Sequence, residues 1–340
     1  MTQSNQVKYE KRLQIEKFKE GSMKRLCNMV SVSGGKDSTA ILLLAIERGV
    51  ESLRPVFADT GNEHQATYDY LGYLEQALGI TITRAKADFS QQLIRKREVT
   101  MEKWRKDGVS EETIERAQAA LTPSGNPFLD LCMWKGRFPS SKARFCTEEL
   151  KVLPITKQVV WPLLREFDQI ESWQGIRWDE SLARASYVER EGIEPDHERV
   201  FAYRPILSWT AEQVFAFHDK HKIKPNPLYS QGMGRVGCMP CINARKSELR
   251  EIANRFPEVI ERLAEWESLV SIASKRGSGT FFCATTDPTA SDDDDITHET
   301  HGIRRMVDWA RTDRGGRQRN LLASDASEPS QCSSIYGLCE

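Results

Sequence analysis

From Leu26 onward the chain alternates between two textures. LCNMVSV (26–32) is an apolar run the length of one buried strand; it enters Ser33-Gly34-Gly35 and then TAILLLAIERG, of helical composition, which stops at Gly49. This pattern predicts a strand, a glycine turn and a helix. SLRPVFAD (52–59) and ITITRAKAD (80–88) repeat the strand texture, with HQATYDYLGYLEQALG between them as a helix of crossover length. ESWQGIRWDES returns to the theme, and SWTAEQVFAFHDKH follows as a helix that Ser208 or Thr210 can cap. Alternating strands and helices predict an α/β fold, a parallel sheet with helices on both faces.

Other segments depart from that rhythm. Residues 7–25 hold seven basic and three acidic side chains with only sparse apolar positions, predicting a peripheral helix. Residues 91–121 read as helical and charge-rich, and a Pro- and Gly-punctuated stretch runs on to Phe138. The expected organisation is an N-terminal helical extension at 1–25 and a nucleotide-binding domain at 26–250 with a helical insertion at about 91–140. A C-terminal part at 251–340 follows, with one more helix in FPEVIERLAEWESLVSIASKRG and then an irregular tail holding the Asp run 292–295.

Composition narrows the class. The 340 residues allow about two domains at ~150 residues each. With 48 Lys plus Arg against 49 Asp plus Glu, the net charge of -1 excludes a global basic field, so any polyanion must be met by local patches. The longest aliphatic run, Ala40 to Ile46, is too short to cross a bilayer, and MTQSNQVKYEKRLQ lacks the apolar core of a secretory signal. The expectation is a cytoplasmic protein, without membrane contact, whose eight cysteines stay thiols unless they bind metal or do chemistry.

The most informative chemistry lies in Ser33-Gly34-Gly35-Lys36-Asp37-Ser38-Thr39. Two glycines let the backbone approach an anion, a helix start offers free N–H groups, and Lys36, Ser38 and Thr39 add a charge and hydroxyl donors. The spacing fits neither the Walker loop nor G-x-G-x-x-G. It resembles the PP-loop of the N-type ATP pyrophosphatases. VFADTGNEH, KARFCTEELKVLP, GIRWDES, YRPILSW and NPLYSQGMGRVGCMPC extend the resemblance, to the sulfonucleotide reductase branch and most to the phage and mobile-element proteins labelled phosphoadenosine phosphosulfate (PAPS) reductase, over residues 26–250.

The resemblance implies an adenine nucleotide alpha-hydrolase-like fold. It implies that Ser33 to Thr39 grip the pyrophosphate of ATP, that Asp59 lies near the adenosine, that Arg177 clamps phosphate or sulfate, and that Asp179 orients it or a metal. True sulfonucleotide reductases have lost the Lys-Asp pair of the loop, whereas this chain keeps Lys36 and Asp37. A lysine at the phosphates and a carboxylate able to hold Mg2+ suit cleavage of ATP to AMP and pyrophosphate. Similar enzymes of tRNA thiolation and DNA phosphorothioation activate an acceptor for sulfur in this way.

Cys238-Met-Pro-Cys241 is a C-x-x-C turn that can aim two sulfurs at one ion. By the same resemblance Cys146 stands where APS reductases place a cysteine ligand of a 4Fe-4S iron-sulfur cluster, although Phe145 replaces the first cysteine of that pair. The expected set is Cys146, Cys238 and Cys241, completed by Cys339 or Cys332 with Cys283 as a further candidate; zinc is the alternative on the same thiolates. Cys27 and Cys132 read as buried free thiols. The nucleophilic Glu-Cys-Gly tail of the reductases is not matched by Gly337-Leu338-Cys339-Glu340.

The pairs His218/His221 and His298/His301 read as solvated or structural. Three basic patches, 95–106, 135–151 and 304–319, lie with or beside Trp104, Trp134, Phe138 and Trp309, the combination that suits backbone contacts and base stacking. Arg144 and Lys151 can instead hold the sulfate or phosphate of a small nucleotide. The resulting expectation is an ATP- and magnesium-using enzyme that activates a tRNA or DNA acceptor for sulfur transfer, with a sulfur donor or thiol reductant protein as partner and oligomer formation open. A sulfonucleotide reductase and a non-catalytic nucleotide-binding regulatory or defence module are the rivals.

Overall fold

The computed structural model describes residues 24–193, 198–282, 296–313 and 335–337. Six strands form one sheet: β1 (Leu26–Ser31), β2 (Leu53–Asp59), β3 (Thr83–Lys86), β4 (Gln169–Trp173), β5 (Arg190–Gly192) and β6 (Val200–Tyr203), in the order β3-β2-β1-β4-β6-β5. Every pairing is parallel except β5 with β6. Successive side chains point to opposite faces, and both faces are filled. Cys27, Met29, Val56, Ala58 and Ile170 pack on one side against Val152, Ile155, Val159 and Leu163 of the helical stretch 145–166. Val30, Phe57 and Trp173 pack on the other against the helices Lys36–Glu47, Gln65–Leu78 and Ala211–Lys220. Thr210 caps the last of these, its hydroxyl accepting from Gln213 N at 3.3 Å.

A second core is entirely helical. The stretch after residue 121, expected to be only punctuated, contains the buried helix Pro127–Lys135. Asn126 caps it by accepting from Leu129 N, proline occupies the first turn where its missing N–H costs nothing, and left-handed Gly136 ends it, so the residues that read as breakers are its boundaries. Phe128 of this helix lies 5.8 Å from Trp266 of the helix Pro257–Ile272, ring centre to ring centre, and the same core takes in Leu249, Ile303 and Met306. The insertion and the segments after residue 246 therefore share one interior. Among the described residues no helix is long and apolar enough to cross a membrane.

Glu267 lies inside that interior at 1% exposure, accepting Phe281 N and Ile303 N, each at 2.7 Å. Burial pushes its carboxyl up to about 7. The native state therefore holds a proton the unfolded chain has already lost between about 4.5 and 7, and stability falls as pH rises through that window. The expected loss is on the order of 3 kcal/mol, levelling above pH ~7. Urea midpoints at pH ~5 and ~8 should show this decline in the parent and a flattened one in Glu267→Gln; equal slopes in both would contradict it.

Candidate functional site

β1 sits at the point where the sheet order reverses, with β2 on one side and β4 on the other. Loops leaving β1 and β4 diverge there, and ligands of such sheets bind in that crevice at the strands' carboxyl ends. The glycine loop follows β1, and Gly175 to Arg177 follow β4, so residues about 140 apart in sequence meet.

The loop is braced from within. Ser38 Oγ accepts Ser33 N at 3.1 Å and donates to Gly35 O at 3.1 Å, and Thr39 Oγ1 donates to Gly35 O at 2.9 Å. Gly34 is left-handed, and a Cβ there would also lie 2.9 Å from Thr67 Cγ2. Gly175 is needed for close approach: a Cβ would come within 2.7 Å of the Asp37 carbonyl carbon. Three side chains hold the loop from outside: Asn226 Nδ2 donates to Gly34 O at 3.1 Å, Tyr229 OH accepts Lys36 N at 2.9 Å, and His218 Nε2 donates to Lys36 O at 2.8 Å. His218 is fully buried, and burial holds its pKa below the ordinary value, so it serves as a neutral brace.

Charge is concentrated on one buried carboxylate. Asp37, fully buried, receives Lys36 Nζ on Oδ2 and Arg177 Nε on Oδ1, both at 2.7 Å. Arg177 Nη1 also reaches Asp179 at 2.5 and 2.6 Å, and the Arg177 backbone N–H donates to Glu180 at 2.8 Å. Burial opposes the charge on Arg177, but Asp37, Glu180 and Asp179 outweigh it and keep the guanidinium protonated. Arg177 thus joins the buried Asp37 to Asp179, whose side chain is half exposed. Lys36, only 12% exposed, directs its ammonium at Asp37 and lies 5.7 Å from the Tyr229 ring centre. Asp37 and Asp179 offer the hard carboxylate oxygens that suit Mg2+ beside phosphates.

Asp59, at the end of β2, accepts Gly61 N at 3.1 Å and Tyr68 OH at 2.8 Å, so it shapes the β2 loop. That loop carries the C-x-x-C turn. Met239 N donates to Asn62 O at 2.7 Å and Asn62 Nδ2 to Pro240 O at 3.0 Å, which lays Cys238 beside Glu63 and Thr60. Cys146, Cys238 and Cys241 line one small cavity of about 30 Å³ together with Ser33, Lys151 and Arg235. Burial pushes the Cys238 thiol well up, Lys151 pulls the other way, and burial likewise raises the Glu63 carboxyl.

The soft thiols and neighbouring cations fit a thiolate-bound metal in chemistry. They are not drawn together in the structure: among the described residues no three His, Cys, Asp or Glu side chains form a metal-holding group. Cys283, Cys332 and Cys339, offered as further ligands, lie outside the described residues, as does the Asp run. Cys27 and Cys132 are fully buried free thiols. The chain does return to the crevice at residues 335–337, where Ser31 Oγ donates to Tyr336 O at 2.6 Å and Gln174 Nε2 to Ile335 O at 2.7 Å.

Of the expected stacking rings, Trp104 and Phe138 are 7% and 6% exposed and pack into apolar cores, while both also stand in the wall of the cleft that the basic patches form. Of the basic patches, 95–106 and 135–151 come together on one cleft. In the third, Arg304 pairs with Glu261 and Trp309 lies under Lys246, away from that cleft. Asn226, Tyr229 and Glu63 had no individual role from sequence, and of the two readings given to His218, solvated or structural, it takes the structural one. The signal for Asn226 and Tyr229 was NPLY, an Asn cap before Pro, and for Glu63 a carboxylate inside an otherwise uncharged turn.

Residues 27–244 match the family model described as the phosphoadenosine phosphosulfate reductase domain. An uncharacterized 37.8 kDa protein of the gpa 5' region of Escherichia phage 186 is 51% identical over 325 residues, covering 92% of this chain and 96% of its own. The adenosine 5'-phosphosulfate reductase of Allochromatium vinosum is 33% identical over 89 residues, 24% of this chain and 32% of its own. A phosphate complex of PAPS reductase from Candida auris aligns with 71% of this chain and 97% of its own at 16% identity and a TM-score of 0.40.

Proposed function

Because the chain belongs to the phosphoadenosine phosphosulfate reductase domain family, with the adenine nucleotide alpha-hydrolase-like sheet and its PP-loop, we propose that it cleaves ATP to AMP and pyrophosphate and so activates an acceptor for sulfur transfer. The observation that carries this reading is the Lys36–Asp37–Arg177 network in the crevice between β1 and β4. A reductase acting on an activated sulfate needs no group to stabilise a departing pyrophosphate. An enzyme that splits ATP does.

In the proposed reaction an acceptor oxygen attacks the α-phosphorus, the bond to the bridging oxygen breaks, and pyrophosphate leaves with the electron pair. A sulfur nucleophile then displaces AMP from the activated acceptor. The N–H groups at the start of the helix Lys36–Glu47 and the Lys36 ammonium meet the charge growing on pyrophosphate, while Arg177 keeps Asp37 oriented. Mg2+, held by Asp37 with Asp179, would add charge neutralisation. Cys146, Cys238 and Cys241 would hold an iron-sulfur cluster, or zinc, which would bring sulfur or redox chemistry to the crevice through a sulfur donor or thiol reductant protein.

The runner-up is a sulfonucleotide reductase, favoured by the adenosine 5'-phosphosulfate reductase of Allochromatium vinosum among the similar proteins. Competition separates the two. ATP with magnesium should displace a labelled adenine nucleotide at lower concentration than adenosine 5'-phosphosulfate, and the reverse order would support the reductase. Metal analysis of anaerobically purified protein should find iron and acid-labile sulfide that Cys238→Ser loses; full metal content in that variant would remove Cys238 from the ligands.

A further inference from the structure

We propose that the open cleft on the helical side of the molecule binds a single-stranded nucleic acid along its phosphate backbone. That this strand is also the sulfur acceptor rests on the function proposed above; that it binds does not. The cleft, about 920 Å³, is lined by Arg95, Lys96, Lys135, Arg137, Lys275 and Arg276, and no Asp or Glu stands among its described lining residues. Six basic side chains, two of them paired with carboxylates outside the lining, are a marked local departure in a chain whose net charge is -1.

The charge is gathered by the fold. The cations come from three separate segments: the helix Ser90–Val99, the end of the helix Pro127–Lys135 with the turn after it, and the turn after the helix Pro257–Ile272. A merely solvated helix face would place its charges on one element. Arg95, Arg137 and Arg276 are exposed, and no described carboxylate forms an ion pair with them, whereas Lys135 is tied to Glu149 at 2.8 Å and Lys275 to Asp107 at 2.9 Å.

Two half-buried rings, Trp134 and Phe282, stand on the same walls, with Lys135 Nζ 3.7 Å from the Trp134 ring centre. Trp134 is stacked on Phe89 at 5.7 Å, so the rings brace the walls and the cations meet the phosphates; an unpaired strand, which bends to follow a cleft, suits such walls better than a stiff duplex. Two of the cleft's cations also lie near the segment that holds Cys146. Lys135 and Arg137 lie 6.0 and 5.7 Å from the ring of Phe145, the residue next to Cys146, and Phe128, on the same helix as Lys135, lines the cysteine cavity.

The test is fluorescence anisotropy of the full chain with a labelled oligothymidylate across a salt series. Binding should weaken steeply with salt, and the triple variant Arg95→Glu, Arg137→Glu, Arg276→Glu should lose at least about tenfold in affinity and about two from the log–log salt slope. ATP binding should be unchanged in that variant. Three outcomes would overturn the proposal: wild-type affinity in the triple variant; displacement of the oligonucleotide by polyglutamate as readily as by unlabelled strand, which would make the partner an acidic peptide; or binding seen only after Asp292 to Asp295 are changed to Asn, which would make the cleft a seat for the chain's own acidic run. Strand binding without AMP formation would leave the cleft standing and sink the proposed reaction instead.

Discussion

Lys36→Ala stops pyrophosphate release from ATP and leaves the fold standing. The ammonium is the cation proposed to meet the phosphates, and its loss removes a charged donor from a largely buried site where one such donor is worth roughly 100- to 1,000-fold in rate. The fold survives because the other oxygen of Asp37 still accepts Arg177 Nε at 2.7 Å. Urea midpoints of parent and variant should therefore differ little while turnover collapses. Lys36→Arg should recover part of the nucleotide affinity and little of the rate, since a planar fork replaces a point charge. Pyrophosphate release at the parent rate in Lys36→Ala would show that the loop is not where ATP is split.

Arg177→Met has the opposite signature, a loss of stability as well as activity. Arg177 is 4% exposed and Asp37 fully buried, so the substitution leaves Asp37 with Lys36 as its single cation. The cost approaches the roughly 3–5 kcal/mol of breaking a buried pair, because Arg177 is the deeper of the two cations and Asp37 and Asp179 lose the guanidinium they share. Adding Asp37→Asn should restore a good part of that stability while the enzyme stays inactive. A double-mutant cycle reads the coupling directly, and additive effects would contradict the network.

What could be read in the sequence was local or periodic. The strand texture of β1, β2 and β4 and the helix after the glycine turn follow from runs of a few residues, and the phosphate loop is seven consecutive side chains. Arg177 and Asp179 were legible for the same reason. Their tie to Asp37 was not, since it spans 140 positions and exists only because β1 and β4 are neighbours. Lys36 O resting on His218 depends in the same way on the helix Ala211–Lys220 packing against the loop helix.

The burial of two aromatics has a related cause. Trp104 and Phe138 stand beside basic residues in sequence and line the same cleft, but their contacts with distant segments, which leave them 7% and 6% exposed, exist only in the fold. Pro127 read as punctuation because a proline that opens a helix and one that breaks it are the same letter; the Asn126 cap decides it. The cleft was visible only as two separate patches, 95–106 and 135–151, and its third wall at Lys275 and Arg276 was unsuspected.

The most direct test of the central claim is the product of ATP itself. The protein is incubated anaerobically with magnesium, sulfide as the sulfur nucleophile and ATP labelled at the α-phosphate, with and without single-stranded DNA or tRNA, and AMP is resolved from ADP. AMP and pyrophosphate in equal amounts, increased by one of the nucleic acids, are the predicted result. No AMP under any condition, together with tight binding of adenosine 5'-phosphosulfate, would contradict it and make the chain a reductase.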